Sequence, residues 1–346
     1  MTENTGSQPT VMPIDSVDQD QFGTLVEPYR RELQAHCYRM MGSVQDAEDM
    51  VQETFLRAWR RRETHEGRAS FRAWLYKIAT NVCLDNLKRR PRRRVPVTRQ
   101  AVSSAAEPVP AGIMEPIWLE PYPDDLLAPS DDTPERYVAA RETITMAFIA
   151  ALHLLPPRQR AVLLLRDVMD WQASEVAALL DMTVAAVKSA LHRARATLAT
   201  HGYATRAGGF TTAMLDEVDQ TRLGDYVRAW ETADVHALLS LLKEEATFSM
   251  PPIPSWYRGK DEIRKLTSAT VFSGDAAGRW RLLPTRANGQ PAFGLYRQAQ
   301  TPGTYSAYGI QVLTINDGLI ADITTFRTPA LFPHFHLPPT IESAAS

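Results

Sequence analysis

The chain has 346 residues, which is enough for two or three domains. Hydrophobic residues make up 44% and charged residues 23%, a composition typical of ordinary globular proteins and unlike that of disordered or membrane-spanning chains. The net charge of −2 alone would argue against nucleic-acid binding, but the charges are segregated. Between Arg57 and Arg94 there are 13 Lys or Arg against 3 acids, whereas between Arg99 and Glu135 there are 1 Arg and 8 acids. This pattern predicts a polyanion-binding surface followed by an acidic segment that can lie against a basic one.

The N-terminal sequence, the lack of long apolar runs and the two cysteines indicate where the protein is located and whether it binds a metal. The polar N-terminus lacks the basic start and apolar core of a signal peptide, and no apolar run reaches the roughly 18 residues of a membrane span. We therefore expect a cytoplasmic protein that does not bind membranes, with residues 1–19 disordered. Cys37 and Cys83 belong to no CxxC or Cys/His cluster, so we expect buried thiols and no metal site.

Residues 20–95 have the periodicity of consecutive helices. Gly42 is expected to end one helix, and Asp46 to begin the next, DAEDMVQETFLRAWRRR. Ser70 is expected to cap a third helix, which Pro91 ends.

The helix that begins at Asp46 is predicted to have two faces. One face is apolar and suits a core. The other is acidic and amide-rich, so it suits a protein partner better than DNA. It comprises Asp46, Asp49, Gln52, Glu53 and Leu56.

The third helix mixes aromatic and basic side chains, a combination that suits unpaired DNA because rings stack on bases while cations hold the backbone. The spacing of its apolar residues also suits a plain core, and we assign Phe71 and Leu75 mainly to that role. Trp74 and Tyr76 stay undecided between the two. The candidate DNA-binding residues are Arg72, Trp74, Tyr76, Lys77, Asn81, Lys88, Arg89 and Arg90.

Residues 96–133 form a Pro-rich acidic linker that contains the sequence WLEPYPD. Large aromatic side chains in an exposed linker are unfavourable, so this sequence is expected to dock on the rest of the protein. The residues expected to dock are Trp118, Leu119, Pro121 and Tyr122.

Residues 134–202 are helical again and contain a helix-turn-helix pattern. The first helix is predicted at Ala173–Leu180, with a turn at residues 181–183 and Thr183 as the cap of the second helix. Val176, Ala177, Leu180, Val184 and Val187 are expected to pack between the two helices. The candidate DNA-binding residues are Arg158, Arg160, Thr183, Lys188, Ser189, His192, Arg193 and Arg195. A solvated polar face is the alternative interpretation of this helix.

Residues 212–338 change character. A helical pattern from Leu215 to Leu242 precedes short β-rich runs separated by Gly, Pro and Asn-Asp-Gly turns. The expected fold class is therefore multidomain, with two all-α domains and an α+β domain.

Together, the helical segments resemble the extracytoplasmic-function sigma factors of the sigma-seventy family. DAEDMVQETFLRAW is similar to the helix that binds the polymerase clamp, and FRAWLYKIATNVCLDNLKRR to the part that melts and reads the −10 element. LPPRQRAVLLLRDV with the helix-turn-helix resembles the region that reads the −35 element, except that Ala190 replaces a common arginine. The resemblance implies core RNA polymerase, through its clamp and flap, and promoter DNA as partners. It leaves room for an anti-sigma protein without requiring one.

The WLEPYPD linker and the tail ANGQPAFGLY…LFPHFHLP are similar to the actinobacterial sigma G type, which carries a C-terminal SnoaL-like cone. Isomerases of this fold place a carboxylate base after the first strand and before a proline, where this chain has Met250. Asp322, His334 and His336 are weaker candidates for a base. We therefore expect no catalytic residue and no cofactor, and a domain that regulates the sigma part in cis. Its aromatic residues could line a pocket or simply a core: Trp256, Tyr257, Phe293, Tyr296 and Phe326.

Two other functions stay open. A helix-turn-helix regulator that senses a ligand through its tail would leave the 20–95 block without a role. An isomerase or cyclase fused to a DNA-binding module would lack its base.

Overall fold

The computed structural model describes residues 18–65, 70–88, 102–112, 118–127, 143–200 and 217–342, with side chains of the last range from residue 220. Of residues 1–19, which were expected to be disordered, residues 1–17 lie outside these ranges. The expectation was wrong for the last two, because Asp18 caps the first helix and Gln19 begins it. Within the described ranges, no helix is long and apolar enough to cross a membrane.

The first helical block contains four helices, α1 (Gln19–Val26), α2 (Arg30–Met41), α3 (Val44–Arg60) and α4 (Phe71–Leu87). Gly42 ends α2 with a φ of 74°, a conformation that glycine adopts without strain. The cap of α3 is Ser43 and not Asp46, because Ser43 Oγ accepts a hydrogen bond of 3.1 Å from the Asp46 N–H. Ser70 caps α4 as expected, accepting from the Ala73 N–H at 3.2 Å.

The second helical block contains α5 (Met146–Leu152), α6 (Pro157–Leu163), a π-helical turn (Leu164–Val168), α7 (Ala173–Leu180) and α8 (Val184–Thr200). α7 has the predicted bounds, and Thr183 caps α8 by accepting from the Ala186 N–H at 3.1 Å. Val187 is buried between the helices as expected, but Val184 is 40% exposed. The expectation for Val184 was wrong because this residue lies one turn before Lys188, on the exposed face of α8.

The C-terminal domain has three helices, α9 (Glu217–Glu231), α10 (Val235–Ser240) and α11 (Lys260–Ala269). The helical pattern predicted from Leu215 to Leu242 is interrupted at Ala233, whose φ is 54°, and Asp234 caps α10. The strands are β1 (Leu242–Ser249), β2 (Trp256–Arg258), β3 (Trp280–Ala287), β4 (Gln290–Gln298), β5 (Thr304–Asn316), β6 (Leu319–Phe326) and β7 (Thr340–Glu342).

These strands form one curved sheet in the order β2-β1-β6-β5-β4-β3, with β7 added to β5. Among the strand pairs that the structure describes, only β1 and β6 run parallel. β2 and β3 therefore lie at opposite edges. The turn between β3 and β4 is Asn288-Gly289, with φ values of 56° and 73°, and this geometry is typical of a tight hairpin.

Two hydrophobic cores organise the molecule. The inner core lies between the sheet and helices of the C-terminal domain. The second core runs through both helical blocks, the WLEPYPD linker and the opposite face of the sheet. Tyr296 and Phe332 belong to this core on the side of the sheet. Because this core crosses all three domains, the C-terminal domain packs as part of the helical body.

Candidate nucleic-acid interface and interdomain site

The outward face of α3 is open to a partner. Asp49 and Gln52 are exposed, and Leu56 is 51% exposed, which is unusual for a large apolar side chain. Glu53 is half-buried and accepts a 2.6 Å hydrogen bond from Arg57 Nε. Asp46 does not belong to this face. It is buried in the first turn of α3, because the helix begins two residues earlier than expected.

The surface of α4 carries cations that are tied to neighbouring carboxylates. Arg72 pairs with Glu32 at 2.9 Å, and Lys88 pairs with Asp85 at 2.9 Å. Both pairs are partly exposed, so they cost little to exchange for a phosphate. Asn81 is half-buried on the same helix. Arg89 and Arg90 lie outside the described residues.

Aromatic side chains gather at the start of α4. Trp74 is half-buried and stacks on Phe71, with ring centroids 5.7 Å apart, and on His65 at 5.3 Å. Leu75 is fully buried, as expected for a core residue. Trp74 is therefore partly exposed at the start of α4, with Phe71 and His65 packed against its ring.

Tyr76 lies inside the protein, contrary to its assignment to the DNA surface. It is 1% exposed, and its ring packs edge-on against Trp171 of the second helical block with centroids 5.4 Å apart. Its hydroxyl donates to Met169 Sδ at 3.8 Å. Burial raises the pKa of Tyr76, so the phenol stays neutral. Tertiary packing of the second block over α4 is the cause of this difference.

The outward face of α8 is a continuous polar surface. Lys188, Ser189, His192 and Arg193 are all exposed, and Arg193 Nη1 donates to Ser189 Oγ at 2.7 Å. Arg158 is exposed at the start of α6. Arg195 forms a two-bond pair with Asp167, at 2.9 and 2.6 Å, and these bonds raise the pKa of Arg195. Arg195 is thus held at the edge of the candidate DNA surface.

Arg160 is a structural residue and does not face DNA as expected. It is 1% exposed, and its guanidinium donates to the carbonyl oxygens of Leu152, Leu155 and Met40. Met40 belongs to α2, so Arg160 joins the two helical blocks. Arg160 and the exposed Arg158 both lie in the first turn of α6, and the sequence alone does not distinguish their roles.

The WLEPYPD linker docks as predicted. Trp118 is 9% exposed, and Leu119, Pro121 and Tyr122 are buried. The Tyr122 ring packs on Tyr38 of α2 with centroids 4.5 Å apart. The Glu120 N–H donates to the Gly42 carbonyl at 2.9 Å, and the Tyr38 hydroxyl donates to the Glu120 carbonyl at 2.7 Å.

The linker also contacts both edges of the sheet. Near β2, the Ser103 N–H donates to the Trp256 carbonyl at 2.9 Å, and the Ala105 N–H donates to the Glu262 carboxylate at 2.8 Å. At the other edge, Pro123 forms a β-bridge with Ala287, the last residue of β3.

Asn288 joins three parts of the chain and was not singled out from the sequence. Its side-chain oxygen accepts from the Tyr122 N–H at 2.8 Å. Its amide nitrogen donates to the Tyr38 hydroxyl at 2.9 Å and to the Ile144 carbonyl at 2.6 Å. Its own N–H donates to the Tyr122 carbonyl at 2.8 Å. The side chain is fully buried, and every polar atom of its amide has a partner.

Asp124 supports the same site. Its carboxylate accepts from the Gly289 N–H at 2.7 Å and pairs with Arg286 Nε at 3.1 Å. An Asn-Gly pair in the sequence indicates a hairpin turn, but nothing in its local pattern indicates that the turn enters an interdomain site.

The C-terminal residues considered as bases have other partners. Asp322 accepts hydrogen bonds from the Thr247 and Thr324 hydroxyls, and burial raises its pKa. His334 Nδ1 lies 4.0 Å from Glu48, and His336 Nε2 lies 2.9 Å from Asp125. Met250 is buried at the end of β1. In the described parts of the chain, no group of three His, Cys, Asp or Glu side chains could hold a metal ion.

The aromatic residues proposed to line a pocket do not share one cavity. Tyr257 and Phe293 lie in the inner core, whereas Tyr296 and Phe326 lie in the core on the other face of the sheet. These four side chains line the cores, which is one of the two roles considered for them, and alternate residues of a strand point to opposite faces of the sheet.

Comparison with protein families matches three parts of the chain. Residues 25–93 match the model of sigma-70 region 2, residues 145–198 that of sigma-70 region 4, and residues 223–323 that of the SnoaL-like domain. These ranges contain α3 and α4, the helix-turn-helix, and most of the sheet, respectively.

Comparison with individual proteins agrees with the family matches. The chain is 40% identical to the ECF RNA polymerase sigma factor SigG of Mycobacterium tuberculosis over 345 residues, which cover 99% of this chain and 89% of that protein. It is 28% identical to the sigma factor SigW of Bacillus subtilis over 188 residues, which cover 54% of this chain and 92% of that protein. The crystal structure of the M. tuberculosis sigma factor SigJ has a similar fold, with a TM-score of 0.59 at 24% identity, covering 91% of this chain and all of that one.

Proposed function

Since the chain belongs to the extracytoplasmic-function sigma factors, we propose that it binds core RNA polymerase and directs promoter recognition, with its C-terminal domain regulating it in cis. α3 would bind the polymerase clamp. α4 would read the −10 element and α8 the −35 element.

The open face of α3 supports the polymerase contact. Leu56 is exposed one turn after Gln52 and Glu53, and a large exposed apolar side chain suits a hot-spot residue of a protein interface. The −35 contact rests on Lys188, His192 and Arg193, which lie on one face of a capped helix. Such a helix fits the major groove, and its cations can pair with phosphates or guanine edges.

The observation that carries the regulatory role is the set of hydrogen bonds around Asn288. Its side chain, from the C-terminal domain, bonds to Tyr38 of the first helical block, to Tyr122 of the linker and to Ile144, just before α5. One residue of the C-terminal domain therefore holds both promoter-reading blocks and the linker between them. Loosening this site would let the two blocks change their separation.

A non-catalytic C-terminal domain fits the same proposal. Met250 stands where isomerases of this fold carry their base, and a thioether cannot accept a proton at neutral pH. Each carboxylate oxygen of Asp322 already accepts a hydrogen bond from a hydroxyl group, of Thr247 or of Thr324.

The test is run-off transcription with purified core polymerase. We expect the full chain to bind core and to initiate from its promoter, and failure to bind core would refute the sigma-factor role. The regulatory role is tested with Trp118→Ala, which removes a nearly buried linker side chain. Val102→Ala, at an exposed linker position, is the control.

We expect Trp118→Ala to change promoter-specific transcription several-fold while core binding is kept. Equal transcription by Trp118→Ala and Val102→Ala would refute regulation by the docked linker. Point variants serve better than deletion of the C-terminal domain, because deletion would expose the core that the domain shares with the helical blocks.

A further inference from the structure

Three side chains from neighbouring strands meet at one end of the C-terminal sheet. Tyr308 of β5 is half-buried, and its ring packs edge-on against Trp280 of β3, with centroids 5.0 Å apart. Arg297 of β4 is the register partner of Trp280, and such partners point to the same face of a sheet. The guanidinium of Arg327, one residue past β6, lies over the Tyr308 ring, 5.0 Å from its centroid. We refer to Arg297, Tyr308 and Arg327 as the rim cluster.

An irregularity of the backbone brings the rim cluster together. The register of β4 and β5 shifts at this point, so that Tyr308 is an extra residue on β5, a β-bulge. Gly309 follows it, and a Cβ atom there would collide with the Phe326 carbonyl oxygen at the end of β6. Glycine therefore allows β6 to approach the bulge, and this approach places Arg327 beside Tyr308.

The two arginines of the rim cluster lack acidic partners. Both are exposed, and neither lies within ion-pair distance of a carboxylate among the residues that the structure describes. Most other cations of this domain do have such a partner. The pairs include Lys243–Asp317, Arg258–Glu245, Lys260–Glu244, Arg264–Asp261, Lys265–Glu262, Arg281–Glu231 and Arg286–Asp124.

Both arginines act on the same phenol. Burial raises the pKa of Tyr308, and the positive charges of Arg327 and Arg297 oppose this rise. The phenol is therefore protonated at neutral pH and can donate a hydrogen bond. Two guanidinium groups and a phenol O–H close together are the donors that an oxyanion requires.

We propose that the rim cluster is a binding site for a small phosphate-bearing ligand. Arg297 and Arg327 pair with the phosphate oxygens, and the Tyr308 hydroxyl donates to a third position on the same group. A phosphate monoester carries nearly two negative charges at neutral pH, which matches the two cations without partners. Arginine also binds phosphate through two parallel hydrogen bonds, so the site favours phosphate over a single carboxylate.

The rim cluster lies next to the contact between the C-terminal domain and the helical blocks. Arg327 precedes the segment Pro329–Phe335, in which Phe332 and Phe335 are buried in the second core. In the same segment, His334 lies 4.0 Å from Glu48 of α3. A phosphate bound by Arg327 is thus two residues from the segment that contacts the helical body, a position that suits an effector. The proposal concerns ligand binding and does not depend on the sigma-factor role.

Titration of the full chain with inorganic phosphate tests the site, followed by NMR of the tryptophan indole N–H groups. The chain has seven tryptophans, and the Trp280 signal is assigned with Trp280→Phe. Because the Trp280 ring packs on Tyr308, this signal reports on the rim cluster and not on phosphate bound to α4 or α8. Sulfate and acetate are titrated at the same ionic strength to separate a site for dianions from a general affinity for anions.

We expect phosphate and sulfate to shift the Trp280 signal saturably, and acetate to bind about tenfold more weakly. Arg297→Gln and Arg327→Gln should each weaken phosphate binding about tenfold. Arg222→Gln is the matched control. Arg222 also lacks a carboxylate partner in the described part of the chain, and it lies beside Gly318, at the opposite end of β5 and β6. This control should bind phosphate like the unmodified chain.

Arg327→Lys keeps the inference testable if a glutamine variant is unstable. It retains the charge but not the planar fork, so it should weaken phosphate binding less than Arg327→Gln does. An unmoved Trp280 signal would overturn the proposal, and so would equal affinities of the two rim variants and the unmodified chain. An equal loss in Arg222→Gln, or acetate binding as tight as phosphate binding, would also overturn it. None of these results bears on core binding, which tests the sigma-factor role separately.

Discussion

Replacing Asn288 with Ala should loosen the contact between the C-terminal domain and both helical blocks. The substitution removes three side-chain hydrogen bonds, to the Tyr122 N–H, the Tyr38 hydroxyl and the Ile144 carbonyl. It leaves at least the Tyr122 N–H and the Ile144 carbonyl without these partners in a site that excludes water. The backbone of residue 288 has a φ of 56°, which Ala tolerates less well than Asn does.

The magnitude follows from these two effects. Three hydrogen bonds at about 1 kcal/mol each amount to about 3 kcal/mol, and the left-handed backbone adds about 1 kcal/mol. Asp317→Ala is a matched control, because Asp317 occupies the turn between β5 and β6 with a φ of 54°. Its only side-chain pair among the described residues is with Lys243, and its side chain is 90% exposed. The control therefore carries the backbone cost without any interdomain bond.

Urea unfolding followed by tryptophan fluorescence measures the difference between the two variants. We expect Asn288→Ala to lose about 3 kcal/mol more of its free energy of unfolding than Asp317→Ala does. Asn288→Gly, which has no left-handed cost, should lie between the two. Equal losses in Asn288→Ala and Asp317→Ala would refute the assignment of Asn288 as the residue that joins the domains.

Three further predictions concern the helical blocks. Burial lowers the pKa of His36 to about 3, and the positive charge of Arg39 contributes to this shift. As the pH falls, the unfolded chain therefore binds a proton at His36 before the folded chain does. The free energy of unfolding should therefore decrease as the pH is lowered from about 6.5 to about 3. His36→Gln should flatten this dependence in urea titrations, and an unchanged slope would contradict the prediction. Leu56→Arg should weaken core binding at least tenfold in a titration with labelled polymerase, while thermal stability stays the same because Leu56 is exposed. Lys188→Ala should weaken binding of holoenzyme to promoter DNA and lower the salt slope by about one, whereas an unchanged slope would show that Lys188 meets no phosphate.

The parts of the structure that the sequence predicted well are those decided locally. The bounds of α7, the caps at Ser70 and Thr183 and the end of α2 at Gly42 depend on residues within one turn of each other. A hydroxyl at a helix start or a glycine at its end acts on the adjacent backbone, so no knowledge of the tertiary fold is needed. The docking of WLEPYPD was also predictable, because large aromatic side chains are seldom left exposed to water.

Three of the differences depend on contacts between distant segments. Tyr76 looks the same in the sequence whether it meets a DNA base or Trp171, which lies in another domain. Arg160 follows Arg158 by two residues, and only the approach of α2 makes one of them a buried donor. Asn288 was missed because its partners come from three separate stretches of chain. In each case the side chain suits either role, and long-range packing decides between them.

The two attachments of the linker to the sheet support the proposal that the C-terminal domain acts on promoter spacing. Residues 89–142 connect the helical blocks, and a free chain of about 50 residues would have an end-to-end distance of about 40 Å that fluctuates widely. Such a tether would set no distance between the −10 and −35 surfaces. The linker is instead attached to the sheet near β2 through Ser103 and beside β3 through Pro123, with Tyr122 held by Asn288. We propose that attachment at both edges makes the tether a spacer whose length depends on the C-terminal domain. Anything that released one edge would lengthen the spacer without touching a DNA-binding residue.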